Sequence, residues 1–375
     1  MFQRIWHMLI KEFILVLRDP RMRAVTFVTP IVEVLVIGYA VTTDVRHVPT
    51  AIYDLDNSVQ SREVTARFLG SGYFDLVERI DRPERVGELL DRGRASFVLH
   101  FDHGFSADLA TGRTARVQLL VDGTDSNTAG IVLGYSQSIL AGYSRKILVE
   151  RSDRLFGPAA RPGMLTLQSR AWFNENLESR NYFVPGVIVI VLTLISLLLT
   201  SMAVVREKEI GTIEQILVTP ITPLEFVLGK TLPFALIGMF DVVLITLVGV
   251  FWFDVPVRGN LAVLFLGTSL YLMTTLGLGL FISEISGTQQ QAMLSTFLFM
   301  FPAMMFSGFV FPVANMPASL RWLAYVNPLR YYMVIVRDVF LKGTGMSILW
   351  PEMLVLAVSG VATLWLVARR FHKTM

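Results

Sequence analysis

Arg206-Glu-Lys-Glu-Ile-Gly-Thr-Ile-Glu-Gln-Ile-Leu-Val-Thr-Pro220 follows directly on a run of about 20 apolar residues, the length that crosses a bilayer as one helix. A charged, helix-prone segment in that place reads as a cytoplasmic helix hung between two membrane spans. Glu207, Glu209 and Glu214 give it a charged face, while Ile210, Ile213, Ile216 and Leu217 form an apolar stripe at spacing three and four that can dock into a partner groove. Pro220 and Pro223 stop it. By composition alone the same segment could be a solvated connector.

The rest of the chain fits a membrane setting. Apolar residues are 53% of the sequence and charged residues 17%, a balance that excludes an ordinary soluble globule. Mean hydropathy is +0.56. Six stretches are long and apolar enough to be read as spans, near 24–43, 183–204, 226–252, 260–283, 292–311 and 348–368. Basic residues cluster beside spans, where they set orientation, so the high pI gives no reason to expect a nucleic-acid partner. With no Cys, disulfides, thiolate metal sites and cysteine nucleophiles are excluded together. No small-residue cleavage site follows the first apolar run, which is expected to remain as a span.

Orientation follows from Arg4, Lys11, Arg18, Arg21 and Arg23 before the first span, Arg206 and Lys208 after the second, and Arg369, Arg370 and Lys373 after the sixth. With six spans these fall on one side, and the positive-inside rule makes that side, with both termini, cytoplasmic. The 312–347 loop disagrees, since it carries Arg321, Arg330, Arg337 and Lys342 yet is external by parity. The termini are given more weight because charges nearest the first span dominate.

Residues 44–182 interrupt the apolar pattern with 17 of the 33 Lys and Arg residues and 18 of the 30 Asp and Glu residues, and so form an extracytoplasmic domain between spans 1 and 2. Strand-like runs (50–53, 74–80, 96–101, 116–121) alternate with helical ones (58–69, 83–92, 126–151), the pattern of βα units. Asn57 or Ser58 can cap the first of these helices. The stretch 151–170, with Gly157, Pro158, Pro162 and Gly163, reads as a loop near the membrane.

At the N-terminus, Phe2, Ile5, Trp6, Leu9, Ile10, Phe13 and Leu17 recur at helical spacing with Arg4, Lys11 and Arg18 off the stripe. Residues 1–20 are expected to form an interfacial amphipathic helix, separated from span 1 (21–43) at Asp19-Pro20. The alternative is an inward extension of that span.

Several apparent active sites dissolve. Gly229-Lys230-Thr231 mimics the end of a phosphate-binding loop, but Leu224 stands where the first glycine belongs and no strand precedes it. The chain is therefore expected to lack a nucleotide engine and not to be an enzyme. His100 and His103 are the one close His pair and have no third ligand, so no metal site is expected. No Ser-His-Asp arrangement or paired carboxylates give a catalytic group. Charges within spans are costly, and Glu33 and Asp241 are expected either to pair with Ser, Thr, Tyr or backbone of a neighbouring helix or to line a substrate path. Gly277 and Gly279 are expected to allow close helix approach. Phe297, Met300, Phe301 and Met304 crowd the fifth span with soft, adaptable surface, which suits either a path for greasy cargo or contact with lipid.

The 206–220 stretch closely resembles the signature by which permease subunits of type-2 ABC exporters contact their ATPase. Three further segments are similar to that family in the same order: Asp54-Leu-Asp-Asn-Ser58, Ser286-Gly-Thr-Gln-Gln-Gln-Ala-Met293, and 312–332 with Pro317, Trp322, Asn327-Pro328-Leu329 and Tyr331-Tyr332. The resemblance implies a six-helix transmembrane domain with a coupling loop at 205–225 and an external re-entrant segment at 312–342. It implies that Arg206, Glu207, Lys208, Glu209, Gly211, Thr212, Glu214, Gln215 and Leu217 couple to the ATPase. It further implies a second permease copy or paralogue and a separate ABC ATPase that binds ATP and Mg, this chain holding no cofactor. Export of a drug-like or lipid-like compound from a bacterial inner membrane is the expected function, with a periplasmic adaptor receiving cargo from the external domain. The competing classes are an ion-coupled secondary transporter using Glu33 or Asp241, and a receptor or scaffold acting through 44–182.

Overall fold

The computed structural model describes residues 2–40, 45, 47–157, 172–174, 178–212 and 221–374. The chain divides into two compact units, Met1–Thr42 together with Arg170–Met375, and Thr43–Ser169.

The first unit is helical. It opens with α1 (Phe2–Arg18), then α2 (Pro20–Arg23), a π-helical segment Ala24–Val28 and α3 (Thr29–Ala40). Asp19 is the break between α1 and α2, where Pro disfavours helical geometry at the preceding residue. Later come α8 (Ser179–Ile210), α9 (Pro223–Phe251), α10 (Leu261–Ile285) and α11 (Gln289–Met305). The unit ends with α12 (Ala318–Val326), α13 (Pro328–Arg337) and α14 (Met346–Thr374).

Four helices are individually long and apolar enough to cross a bilayer: Ser179–Ile210, Leu224–Phe251, Leu261–Ile285 and Met346–Arg370. The apolar stretch Ala24–Ala40 is shorter, and Gln289–Met305 has 17 residues. At about 1.5 Å per residue neither of these reaches about 30 Å unaided. The chain is thus a multi-pass helical membrane protein, with helix length deciding four of the six expected spans.

The central helix is α8, apolar on every side and packed against α3, α9, α10, α11 and α13. A helix apolar all round can be packed on every side, and the neighbours of α8 use that freedom to make it the core. Small residues let its neighbours close in. A Cβ on Gly279 would lie 2.7 Å from Thr200 Cβ, and one on Gly277 would lie 2.8 Å from Thr363 Oγ1, so both expected close approaches are used for packing. Polar side chains satisfy one another across the same interfaces. Thr193 and Tyr271 hydroxyls are 2.7 Å apart, Thr268 and Tyr332 hydroxyls 2.9 Å, and the two tyrosine rings stack at 4.3 Å.

The second unit holds a four-stranded sheet of order β2-β1-β3-β4, formed by β1 (Val48–Asp54), β2 (Phe74–Ile80), β3 (Phe97–Phe101) and β4 (Val117–Val121). β1 pairs in parallel with β2 and β3, and β4 closes one edge antiparallel to β3. Its helices are α4 (Val59–Leu69), α5 (Glu84–Asp91), α6 (Phe105–Thr111) and α7 (Ser126–Phe156). Alternation along β3 sends Phe97, Leu99 and Phe101 into one core and Val98 into the other, so both faces of the sheet are covered. The expected domain 44–182 runs past this unit, since Ser179–Tyr182 already form the first turn of α8.

Ser58 is the residue that caps α4, in a reciprocal pair with Ser61. Asp54 and Asp56 build the turn before it. Asp54 accepts from the Asn57 amide at 2.9 Å and the Ser61 hydroxyl at 2.6 Å, while Asp56 accepts from the Gly104 and Ser106 amides at 3.0 and 3.1 Å. The Asp54–Ser58 motif thus has a structural task, joining α4 to the start of α6.

Candidate functional site: the C-terminal end of α8

The charged stretch after the second expected span is the C-terminal turn of α8. Gly211 ends it with φ 77°, a left-handed conformation that a side chain resists. The Gly211 amide donates to Lys208 O at 3.1 Å and the Thr212 amide to Glu207 O at 3.0 Å, the paired bonds of a Schellman cap. Ile213 and Ile216, and with them the site residues Glu214, Gln215 and Leu217, lie outside the described residues.

Each charged residue of this turn joins a different element. Arg206 faces Asp19 at 3.8 Å. Lys208 Nζ donates to Ser283 O and Glu284 O, at 3.3 and 2.7 Å, and so satisfies carbonyls at the C-terminus of α10. Glu209 accepts from the Gln289 backbone amide at 2.8 Å and from the Gln289 side-chain amide, placing an anion at the N-terminus of α11. Glu207 turns inward and is only 5% exposed.

The inward carboxylate belongs to a buried ion cluster. Glu207 Oε1 accepts from Lys230 Nζ at 2.8 Å and from Lys11 Nζ at 2.6 Å, and Lys230 also donates to Glu12 Oε1 at 2.6 Å. Lys230 is 1% exposed and Glu12 5%. One ammonium therefore ties α1, α8 and α9 together. Beside it, a Cβ on Gly229 would lie 2.8 Å from Met8 Sδ, so α1 sits directly on the α9 backbone. Nearby, Arg4 Nη1 reaches Glu225 at 3.4 Å, and Glu225 forms a capping box with Thr222. A small cavity of about 190 Å³ adjoins the cluster, lined in part by Met202, Phe234 and Ile210.

This arrangement gives one face of α1 a packing role. Its apolar residues form two sets: Leu9 and Val16 are buried with Glu12, whereas Trp6, Ile10, Ile14 and Leu17 are exposed. The helix is a packed element with an apolar outer face. Sequence reasoning missed Glu12 and set Lys230 aside as a phosphate-loop mimic. A lysine within an apolar span carries a cost that demands a partner, and Glu12 lies between Leu9 and Val16 on the buried face; those were the available signals.

The residues expected along a substrate path are not brought together within one chain. Met300 is buried, Met304 packs at the edge of the main core, and Phe297 and Phe301 face outward at 47% and 64% exposure. Asp241 is fully buried, and neither carboxylate oxygen has a partner among the described residues; one Glu33 oxygen is likewise unpaired. The expected pairing of Asp241 with a hydroxyl or backbone donor is not found among the described residues. The Phe27–Phe240 and Tyr39–Trp252 contacts set α3 and its π segment alongside α9, and the Thr26 hydroxyl, buried in that segment, is unpartnered too. In the other unit, His100 pairs with Gln118 at 2.9 Å and stacks on Tyr53.

A bundle of apolar helices around α8, with a charged turn that ties its neighbours to it, defines a polytopic helical membrane protein. Comparison with known proteins gives the family. Residues 20–369 match the family described as ABC-2 family transporter protein, and the chain belongs to it. It is 34% identical over 366 residues to the probable multidrug ABC transporter permease YbhR of Escherichia coli, covering 96% of this chain and 97% of the relative. It is 33% identical over 377 residues to YbhS, described in the same words, with 98% and 97% covered. A more distant relative, ABC transporter G family member 20 of Dictyostelium discoideum, is 21% identical over 344 residues, covering 90% of this chain and 46% of the relative. The chain is thus a permease subunit of an ABC transporter, not an enzyme, and its partner is a separate ATPase.

Proposed function

We propose that this permease exports a hydrophobic or amphipathic compound, drug-like or lipid-like, by alternating access powered by its ATPase partner. The carrying observation is the Lys230 cluster. A force applied at the Arg206–Gly211 turn would load α1 and α9 together with α8, because one buried ammonium contacts all three. Work on the two ends of a transport cycle requires contacts that differ between states, and this junction is where such a difference would be transmitted. In this reading the chain has six spans with both termini cytoplasmic, lies in a bacterial inner membrane, and pairs with a second copy or paralogue. ATP and Mg are bound by the ATPase, and a periplasmic adaptor takes up cargo from the external unit. The names of the YbhR and YbhS relatives support a drug-like cargo.

The test is affinity purification from the native membrane, comparing the parent with a Glu214→Lys/Leu217→Asp variant. An ATPase that accompanies the parent and is lost from a well-dispersed variant supports the coupling assignment; retention in the variant removes it. A second reading of the cargo path, within the same ATPase-driven cycle, has the unpaired Asp241 carboxylate face the cargo. It predicts that Asp241→Asn abolishes transport at normal expression while the ATPase still co-purifies.

A further inference from the structure

A second cavity lies in the Thr43–Ser169 unit, away from the coupling turn in sequence and chemistry. It is a groove of about 920 Å³, within the roughly 300–1,000 Å³ of small-molecule sites. One wall is α7, where Leu140, Tyr143, Ser144, Ile147, Leu148 and Arg151 recur at helical spacing. The opposite wall is Phe105 and Leu109 of α6 and the turn that leads into the edge strand β4.

Its charge is one-sided. Arg113, Arg116 and Arg151 line the groove against a single carboxylate, Asp102. Elsewhere in this unit Lys146 and Arg67 hold Glu63, and Arg85 holds Glu78 and Glu88. The three groove guanidiniums have no ion pair or side-chain hydrogen bond among the described residues. The turn at Gly112 also fits the arrangement. Its φ is +78°, and a Cβ there would overlap the Arg151 guanidinium, so the missing side chain lets Arg151 lie across the end of the groove.

We propose that this groove binds an amphiphile with a single anionic headgroup, its apolar tail along Leu109, Leu140, Ile147 and Leu148 and its headgroup between the unpaired arginines. Three cations beside an apolar wall suit neither a neutral hydrocarbon nor a cationic drug. Guanidinium groups bind carboxylate or phosphate through paired hydrogen bonds, which gives the headgroup its class. The site is independent of the direction of transport and of the coupling turn.

The experiment uses the full-length permease in phosphatidylcholine nanodiscs, with radiolabelled dodecanoate measured by equilibrium dialysis against empty nanodiscs. Saturable binding of one equivalent is expected. Charge reversal in Arg113→Glu/Arg151→Glu should weaken it by about tenfold or more, the worth of one or two charge-assisted hydrogen bonds. Leu148→Asp, at a position 61% exposed and so safe for folding, should weaken it as well. Dodecyltrimethylammonium should not compete, and unlabelled dodecyl phosphate should.

Binding no greater than to empty nanodiscs, or unchanged by the double variant at normal circular dichroism, overturns the proposal. Inorganic phosphate competing as well as dodecyl phosphate would reduce the site to a bare anion site and also overturn it. None of these readouts involves the ATPase, so failure here leaves the coupling assignment standing, and the reverse.

Discussion

Replacing Lys230 by Met should release α1 from the bundle. The substitution keeps most of the side-chain volume and removes the ammonium that Glu12 and Glu207 share at 2.6 and 2.8 Å. Lys11 still holds Glu207 at 2.6 Å, so Glu12 is the carboxylate left buried and alone. Removing one partner of a buried pair costs about 3–5 kcal/mol, and the surviving Lys11 contact places this variant near about 3. At about 1.4 kcal/mol per tenfold, local opening of α1 should become on the order of 100 times more frequent. The chain has no cysteine, so a single Leu9→Cys substitution, at a position 9% exposed, reports that opening through maleimide labelling without background. Labelling should be slow in the parent and about 100-fold faster with Lys230→Met. Adding Glu12→Gln and Glu207→Gln should recover much of the protection, because no uncompensated charge then remains buried. A rate within about threefold of the parent for Lys230→Met, in protein of normal helical content, would refute the idea that this cluster anchors α1.

Three other perturbations test neighbouring parts of the structure. Gly229→Leu should displace α1 and speed the same Leu9→Cys labelling, since even a Cβ lies 2.8 Å from Met8 Sδ; Met8→Ala should restore protection if that contact is the cause. Gly211→Ala should cost about 1–2 kcal/mol through its left-handed backbone, and Gly211→Pro, whose ring fixes a negative φ, should abolish the cap; thermal unfolding followed by circular dichroism will rank them. In the Thr43–Ser169 unit, a hydrogen bond from Lys146, with Arg67 adding to it against the opposing effect of burial, holds the Glu63 carboxyl below its usual range. A depressed carboxylate contributes stability that is complete above the unfolded value, about 4.3, and is lost as pH falls through the lower folded value. Acid unfolding should therefore be less steep in Glu63→Gln, and identical steepness in the two proteins would exclude the contribution.

Much of the fold was legible because local patterns met no competing tertiary demand. β2 begins and ends where its strand-like run begins and ends, at Phe74 and Ile80, and Ser58 caps α4 as its side chain allows. The helix α6 was missed, since seven residues between Gly104 and Gly112 carry too little periodicity, and its stability comes from Phe105 in the core and Asp56 at its amides. The candidate site was legible only in part. Arg206 to Thr212 stood out as charge after a span, but each charge has its partner on another helix, and pairings such as Glu207 with Lys11 span 196 residues of sequence.

Sequence alone determined the class of protein, because apolar runs of span length and a charged turn between them are properties of the chain that no packing can reverse. It also determined the family, whose similarity extends over residues 20–369. Only the tertiary structure decided what the in-span charges do. Lys230 is a clasp because Glu12 arrives 218 residues away to meet it, while Asp241 meets no donor among the described residues. The cost of burying a charge is set by what stands opposite it, and that partner is chosen by helix packing.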